Sequence, residues 1–254
     1  MKKIGLLFSF FTILFLSCSD DNNSQQVDIS NVLLKKIITY TPATSYETIF
    51  TYDGKKIIEA RNNRENKKFQ YNGDNISKIS WYSNPNTSNE LSKYVEFSYL
   101  PDGKLSGFSQ HSYYPLEVQF TYAENDIVNF TAYNASGSYT FVGYFKMMGT
   151  EISEYIYLNG GNPRPSVKYL YDDKNHPLKN VTGYNKLSLF HYFYNSAHFN
   201  GFTTNVGSAK NCISNSLIND PSVIEVMNTY EYNELGFPKT INKDSETTAD
   251  HLFY

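Results

Sequence analysis

Three residues near the N-terminus have types and spacing suited to one specific covalent chemistry. Leu16-Ser17-Cys18 places a small residue directly before a cysteine. A lipid joined through a thioether needs a thiol at the new N-terminus, and the peptidase that exposes it needs a small residue at the preceding position. Upstream, Lys2 and Lys3 form a positive segment, and Ile4 to Leu16 is an apolar run broken only by small or hydroxyl residues. That run is shorter than the ~20 residues of a comfortable transmembrane helix. Residues 1–17 therefore read as a lipoprotein signal peptide, with Cys18 as the lipid attachment site and a membrane as the first partner.

Beyond Cys18, residues 18–31 read as a flexible acidic and polar tether. Ser19, Asp20 and Asp21 resemble the short acidic export signal that sends some gram-negative lipoproteins to the outer face of the outer membrane. The same residue types also suit a plain solvated linker. The expected location is the outer membrane, at the cell surface or otherwise on its periplasmic face. Acyl chains on Cys18 would hold the protein there, each buried methylene contributing about 0.8 kcal/mol.

Other groups capable of chemistry do not assemble into a motif. His111, His176, His191, His198 and His251 form no pair with familiar ligand spacing, so no metal site is expected. A Gly-rich phosphate loop, a Gly-x-Ser-x-Gly elbow and His-Glu-x-x-His are all missing from the sequence. Glu47, Glu117, Glu151 and Glu154 are scattered acids whose default role is a solvated face. Cys212 is the one thiol left after lipidation, so no internal disulfide is available, and Asn211-Cys212-Ile213 reads as a packed cysteine. No cofactor and no catalytic residue is expected. The net charge of −3 becomes −5 once residues 1–17 and their two lysines are removed. With no basic patch, nucleic acid is not an expected partner.

Aromatics carry the remaining hypothesis. They make up 17% of the chain, with 23 Tyr and 18 Phe. Trp81, Tyr82, Tyr113 and Tyr114 are the candidate ligand contacts, with Tyr139, Tyr144, Tyr155 and Tyr157 as further candidates for a concave face. Tyr and Trp combine an apolar ring with a polar tip and suit sugar stacking or protein contact. In Trp81-Tyr82 and Tyr113-Tyr114, adjacent strand residues face opposite ways, so one of each pair must leave the core if the other enters it.

The elements that position these groups follow from a repeat: an aromatic, any residue, Tyr, a short Asp/Asn/Gly turn, then an aliphatic. It occurs as Phe50-Thr51-Tyr52-Asp53-Gly54 with Ile57, and as Phe69-Gln70-Tyr71-Asn72-Gly73 with Ile76. Phe97-Ser98-Tyr99, Phe120-Thr121-Tyr122, Tyr169-Leu170-Tyr171 and Tyr230-Glu231-Tyr232 give four more copies, with weaker ones at Tyr155-Ile156-Tyr157 and Tyr192-Phe193-Tyr194. Residues i and i+2 of a strand share a face, and Asp-Gly or Asn-Gly supplies the positive φ of a hairpin turn. Each copy is thus a strand, a tight turn and a return strand. This repeat resembles the YD repeats of the Rhs and teneurin families, and more closely the short YD-repeat lipoproteins of gram-negative bacteria. That group is of unknown function, with some members described as porin-like β-folds. The resemblance implies a fold and an address but no catalytic residues.

The resulting expectation is one all-β domain over residues 32–254, an antiparallel meander of roughly 15 strands curled into a barrel or half-barrel to hide its edges. The first strand is expected near 33–40 and the meander runs to about Tyr194. A long loop is expected at about 195–221, with a short helical turn near Ser214 to Ile218. The expected function is a lipid-anchored, non-catalytic envelope module that binds a glycan or protein ligand. A structural or accessory role in an envelope complex, or an enzyme with an unrecognised site, are the alternatives. An integral membrane barrel is disfavoured, because its lipid-facing surface would be continuously apolar.

Overall fold

In a computed structural model of the chain, residues 28–134, 139–159, 162–163, 166–194, 207–243 and 248–254 are described. Seventeen antiparallel segments follow one another along the chain. They are β1 (Lys36–Tyr40), β2 (Ser45–Asp53), β3 (Lys56–Arg61), β4 (Glu65–Asn72), β5 (Asn75–Ser83), β6 (Glu90–Tyr99), β7 (Leu105–His111), β8 (Leu116–Tyr122) and β9 (Ile127–Asn134). The second half holds β10 (Tyr139–Met148), β11 (Glu151–Asn159), β12 (Asn162–Pro163), β13 (Val167–Tyr171), β14 (Cys212–Leu217), β15 (Ile224–Tyr232), β16 (Pro238–Lys243) and β17 (Thr248–Phe253). Each pairs with its sequence neighbour, and β17 pairs with β1, from Lys36 opposite Phe253 to Tyr40 opposite Ala249. The short β12 and β13 both lie along β11, so they form one interrupted stave. The sheet is an all-β meander whose ends meet, and the expected barrel is what forms.

The repeat explains how one end of the barrel is built. Its turns place Gly54, Gly73, Gly103, Gly149 and Gly236 at φ between 57° and 83°, the left-handed region where a residue without Cβ is unstrained. One tyrosine per pair of hairpins then does a job that a ladder hydrogen bond would otherwise do. The β1–β2 ladder stops at Lys36 opposite Ile49; three residues on, the Tyr52 hydroxyl donates to the Leu34 carbonyl at 2.6 Å. The same step recurs where Tyr99 donates to Ile76 (2.7 Å), Tyr122 to Leu105 (2.9 Å), Tyr171 to Ile152 (2.8 Å), Tyr230 to Cys212 (2.7 Å) and Tyr254 to Pro238 (2.9 Å). At the β3–β4 joint the Tyr71 hydroxyl is buried near the Ile57 backbone without completing a hydrogen bond. At the bonded joints the phenol satisfies a carbonyl that splayed strands leave without a ladder partner, a group expensive to bury unpaired. Burial raises the pKa of Tyr52, Tyr99, Tyr171 and Tyr254, and that of Tyr122 to about 12, so these phenols remain donors.

One joint replaces the tyrosine altogether. In Phe145-Lys146-Met147 a methionine stands where the tyrosine would be. There the β9–β10 ladder runs on to Ile127 opposite Lys146, and the Met147 amide donates to the Asp126 carbonyl at 2.8 Å. Backbone closes the joint that a phenol closes elsewhere.

Alternation along each stave separates inside from outside. In β2, Tyr46, Thr48 and Phe50 are buried while Ser45, Glu47, Ile49, Thr51 and Asp53 are exposed. In β8, Val118 and Phe120 are buried and Glu117, Gln119 and Thr121 exposed. Inward residues from all around the ring join one core. Ion pairs cross neighbouring staves on the outer face, as at Lys36–Glu47 (3.2 Å), Lys78–Glu96 (3.0 Å) and Lys239–Glu231 (3.3 Å). Among the described residues the outer wall is mostly polar, with exposed apolar exceptions such as Ile49, Ile58, Leu170 and Phe253, and the lumen is packed.

Two sequence expectations are corrected here. Tyr192-Phe193-Tyr194 is not a strand; it ends a short helix, α1 (Ser188–Tyr194), that lies in the lumen. Phe190 meets Phe97 edge-on at 4.8 Å, and Phe193 meets Phe130 edge-on at 5.4 Å. A helix surrounded by apolar walls is aromatic on every side, so its sequence lacks the one-sided period that marks a surface helix. Second, the span 195–221 is not one long loop. Cys212–Leu217 is strand β14, paired with β13 and β15; neighbouring backbones hold it in place despite its Ser and Asn residues. Residues 195–206 lie outside the described residues.

Candidate functional site

The segment between β13 and α1 caps the tight-turn end of the barrel. The Thr182 amide donates to the Lys55 carbonyl (3.0 Å) and the Asn175 amide to the Gly236 carbonyl (2.9 Å). The Asn180 side chain donates to the carbonyls of Ile29 and Val32, and Lys186 Nζ donates to Asn75 Oδ1 at 2.5 Å. A Cβ on Gly183 would sit 2.5 Å from the Asp74 carbonyl, so this contact needs glycine. Glu151, expected on a solvated face, is instead buried. It accepts from the backbone amides of Ser208 (3.0 Å), Ala209 (2.7 Å) and Lys210 (3.1 Å) and ties the returning chain to β11. Such a nest of amides compensates the lost hydration of the carboxylate.

Under the cap lie His176 and His191, with the Tyr184 ring between them at 5.6 and 4.6 Å. Burial lowers both imidazole pKa values to about 3, that of His176 with a smaller push from His191. The two rings are neutral packing elements at physiological pH. Cys212 is also buried, and burial pushes its thiol up to about 12, far from the range of a reactive thiolate. Neither group has the exposed, activated character of a nucleophile or base.

The four candidate aromatics separate. Trp81 is 2% exposed and cannot touch a ligand at the surface, which corrects its assignment. It packs inside the barrel with Lys93 Nζ 5.0 Å from its ring, in a part of the lumen that also holds the Lys67–Glu65 ion pair (2.5 Å). Tyr82 is half-buried on the outer face under Lys68. The expected division of this pair holds, Trp81 entering and Tyr82 leaving. Of the further candidates, Tyr155 stacks on Phe130 and packs against Tyr192 in the lumen.

Tyr113 and Tyr114 behave differently, because they sit in the β7–β8 turn and not within a strand. Both point to solvent, 88% and 77% exposed, with rings perpendicular (87°) and centroids 4.8 Å apart. The turn beneath them is fixed. Gln110 Nε2 donates to Ser112 Oγ (2.7 Å) and to the Tyr114 carbonyl (2.9 Å), Ser112 Oγ donates to the same carbonyl (2.8 Å), and the Tyr114 amide returns a bond to Ser112 Oγ (3.2 Å). Beside the turn, His111 stacks on Tyr94 at 4.3 Å, and Lys78 Nζ lies 3.7 Å from the Tyr94 ring. Two large rings are thus held outward on a rigid support.

Sequence reasoning missed a second place, a cleft of about 530 Å³ at the capped end. It opens between the cap and the turns that flank the Met147 joint. The methionine at a tyrosine position is the signal in the sequence that marks it.

No known family's sequence profile matches this chain, and no curated protein matches it. Among solved structures, a porin-like protein from Bacteroides uniformis ATCC 8492 is similar, with a TM-score of 0.52 and 8% identity over 87% of this chain and 97% of that one. The likeness concerns the barrel fold. Cys18, expected as a lipid attachment site, and Ser19, Asp20 and Asp21, expected as an export signal, lie outside the described residues.

Proposed function

We propose that the protein is a lipid-anchored, non-catalytic binding module of the cell envelope that presents Tyr113 and Tyr114 to a glycan. The observation that carries this reading is the exposed, perpendicular ring pair on its hydrogen-bonded turn. Rings that stay in water lose burial energy, and a rigid turn removes the ordering cost of binding. The two rings offer apolar faces at right angles, each with a hydroxyl at its tip, which suits the CH faces and hydroxyl edges of a sugar chain. The mostly polar outer wall supports a barrel held beside the bilayer by Cys18, since a lipid-spanning barrel needs a continuous apolar belt. Ser19, Asp20 and Asp21 are the address for the cell surface.

The test is a glycan array probed with the full chain and with a Tyr113→Ala, Tyr114→Ala double variant. Binding that disappears in the variant supports the reading. Binding to no glycan, or undiminished binding by the variant, overturns the glycan assignment.

A further inference from the structure

We infer that the cleft beside Met147 is a second binding site, for a small neutral polyhydroxylated ligand of mono- or disaccharide class. The inference is independent of the Tyr113–Tyr114 reading, because the cleft is at the opposite end of the barrel. Tight turns such as β7–β8 and β8–β9 alternate between the two ends, and Tyr113–Tyr114 and Asn125–Asp126 lie at consecutive ones.

Three observations point to the site. First, its volume of about 530 Å³ falls within the range of small-molecule pockets, about 300–1,000 Å³. Second, its lining joins an apolar floor, with Ile127, Met147 and Leu189, to a polar rim. The rim carries Asn125, Asp126, Thr150 and Asn185, which supply donors and acceptors on both sides. Its ionisable groups balance: Asp102 is paired with Lys104 at 3.1 Å, and Asp126 faces the same space as Lys186. A cation or an anion would gain nothing overall, whereas a neutral ligand with hydroxyls on its edge and CH groups on its face matches both rim and floor.

Third, the turn at the cleft departs from its siblings. At the neighbouring turns of this end, Gly54, Gly73, Gly103 and Gly149 occupy the left-handed position, but here Asn125 and Asp126 both adopt it, at φ 57° and 59°. Two polar side chains are thus kept at the mouth of the cleft, where the neighbouring turns use glycine. Asp126→Gly should therefore stabilise the hairpin while weakening the site, a separation that a purely structural turn residue does not show.

The full chain in detergent would be titrated with glucose, galactose, N-acetylglucosamine and maltose, and in parallel with glucuronate and glucosamine, by ligand-observed NMR. At least one neutral sugar should bind saturably, with affinity falling by about tenfold or more in Asn185→Ala and in Thr150→Trp, which fills the mouth. Tyr113→Ala with Tyr114→Ala should leave this binding intact. Asp126→Gly should weaken it while raising the thermal midpoint. Failure of every neutral sugar to bind would overturn the inference, as would stronger binding of the charged pair. So would binding that survives Thr150→Trp, or that is lost only with Tyr113 and Tyr114; the last result would leave the glycan platform standing.

Discussion

Replacing Tyr99 by phenylalanine isolates the bond that distinguishes this barrel from an ordinary hairpin meander. The ring stays, and only the donor to the Ile76 carbonyl, 2.7 Å away, is removed. Ile76 is fully buried and the β5–β6 ladder ends at Lys78 opposite Glu96, so on the β6 side no ladder partner is registered opposite Ile76. Leaving a buried acceptor unpaired costs about 1–3 kcal/mol, against a typical domain stability of about 5–15 kcal/mol. With a urea slope of about 3 kcal/mol per molar, the midpoint should fall by roughly 0.3–1 M with no change in slope. Tyr99→Ala should cost about 3–5 kcal/mol, because the ring is lost as well. Tyr114→Ala, at an exposed ring, should stay within about 0.5 kcal/mol. Urea melts of the full chain carrying Cys18→Ala, followed by intrinsic fluorescence, would measure all three. A Tyr99→Phe midpoint indistinguishable from the parent would refute the phenol–carbonyl account, and so would a loss at Tyr114 matching that at Tyr99.

Two further predictions rest on the cap. His176 and His191 are held neutral with pKa values near 3, while unfolded histidine titrates near 6.5. The unfolded state alone takes up protons between these values, so stability is full above about pH 6.5 and falls toward pH 3; at pH 5 the loss is about 2 kcal/mol per histidine. Thermal melts of parent and His176→Gln from pH 7.5 to 5 should show a shallower acid loss in the variant, and parallel curves would contradict the assignment. Glu151→Ala removes the acceptor for the Ser208, Ala209 and Lys210 amides and should destabilise the chain by about 3 kcal/mol or more. In hydrogen exchange, protection at those three amides should be lost first, and unchanged protection would show that the nest does not hold the loop.

Much of the fold is legible in the sequence because the repeat states it locally. Phe50-Thr51-Tyr52-Asp53-Gly54 specifies which face is buried, where the turn falls and which residue has positive φ. What the repeat does not state is where a strand former sits when its neighbours decide. Ser188 to Tyr194 is rich in β-favouring aromatics yet forms a helix, because the lumen surrounds it with apolar rings. Cys212 to Leu217 has weak alternation yet forms a strand, because β13 and β15 offer it backbone partners. At the candidate site, the Tyr113–Tyr114 pair was visible as adjacent rings that cannot both be buried in one strand. Its turn position, which exposes both, depends on the Gln110 and Ser112 hydrogen bonds and follows from three-dimensional structure. Trp81 could be assigned only once β5 had an inside and an outside.

On the proposed function, Cys18 alone holds a mostly polar-walled barrel beside the membrane. Fractionation of cells expressing the Cys18→Ala full chain, with fatty-acid labelling and a protease digest of the released material, tests this most directly. The expected result is loss of label and recovery of the barrel in the soluble fraction, folded and resistant to digestion. A variant that remains in the membrane pellet after a high-salt or carbonate wash would contradict the account, since it would mean that the barrel itself is embedded in the bilayer.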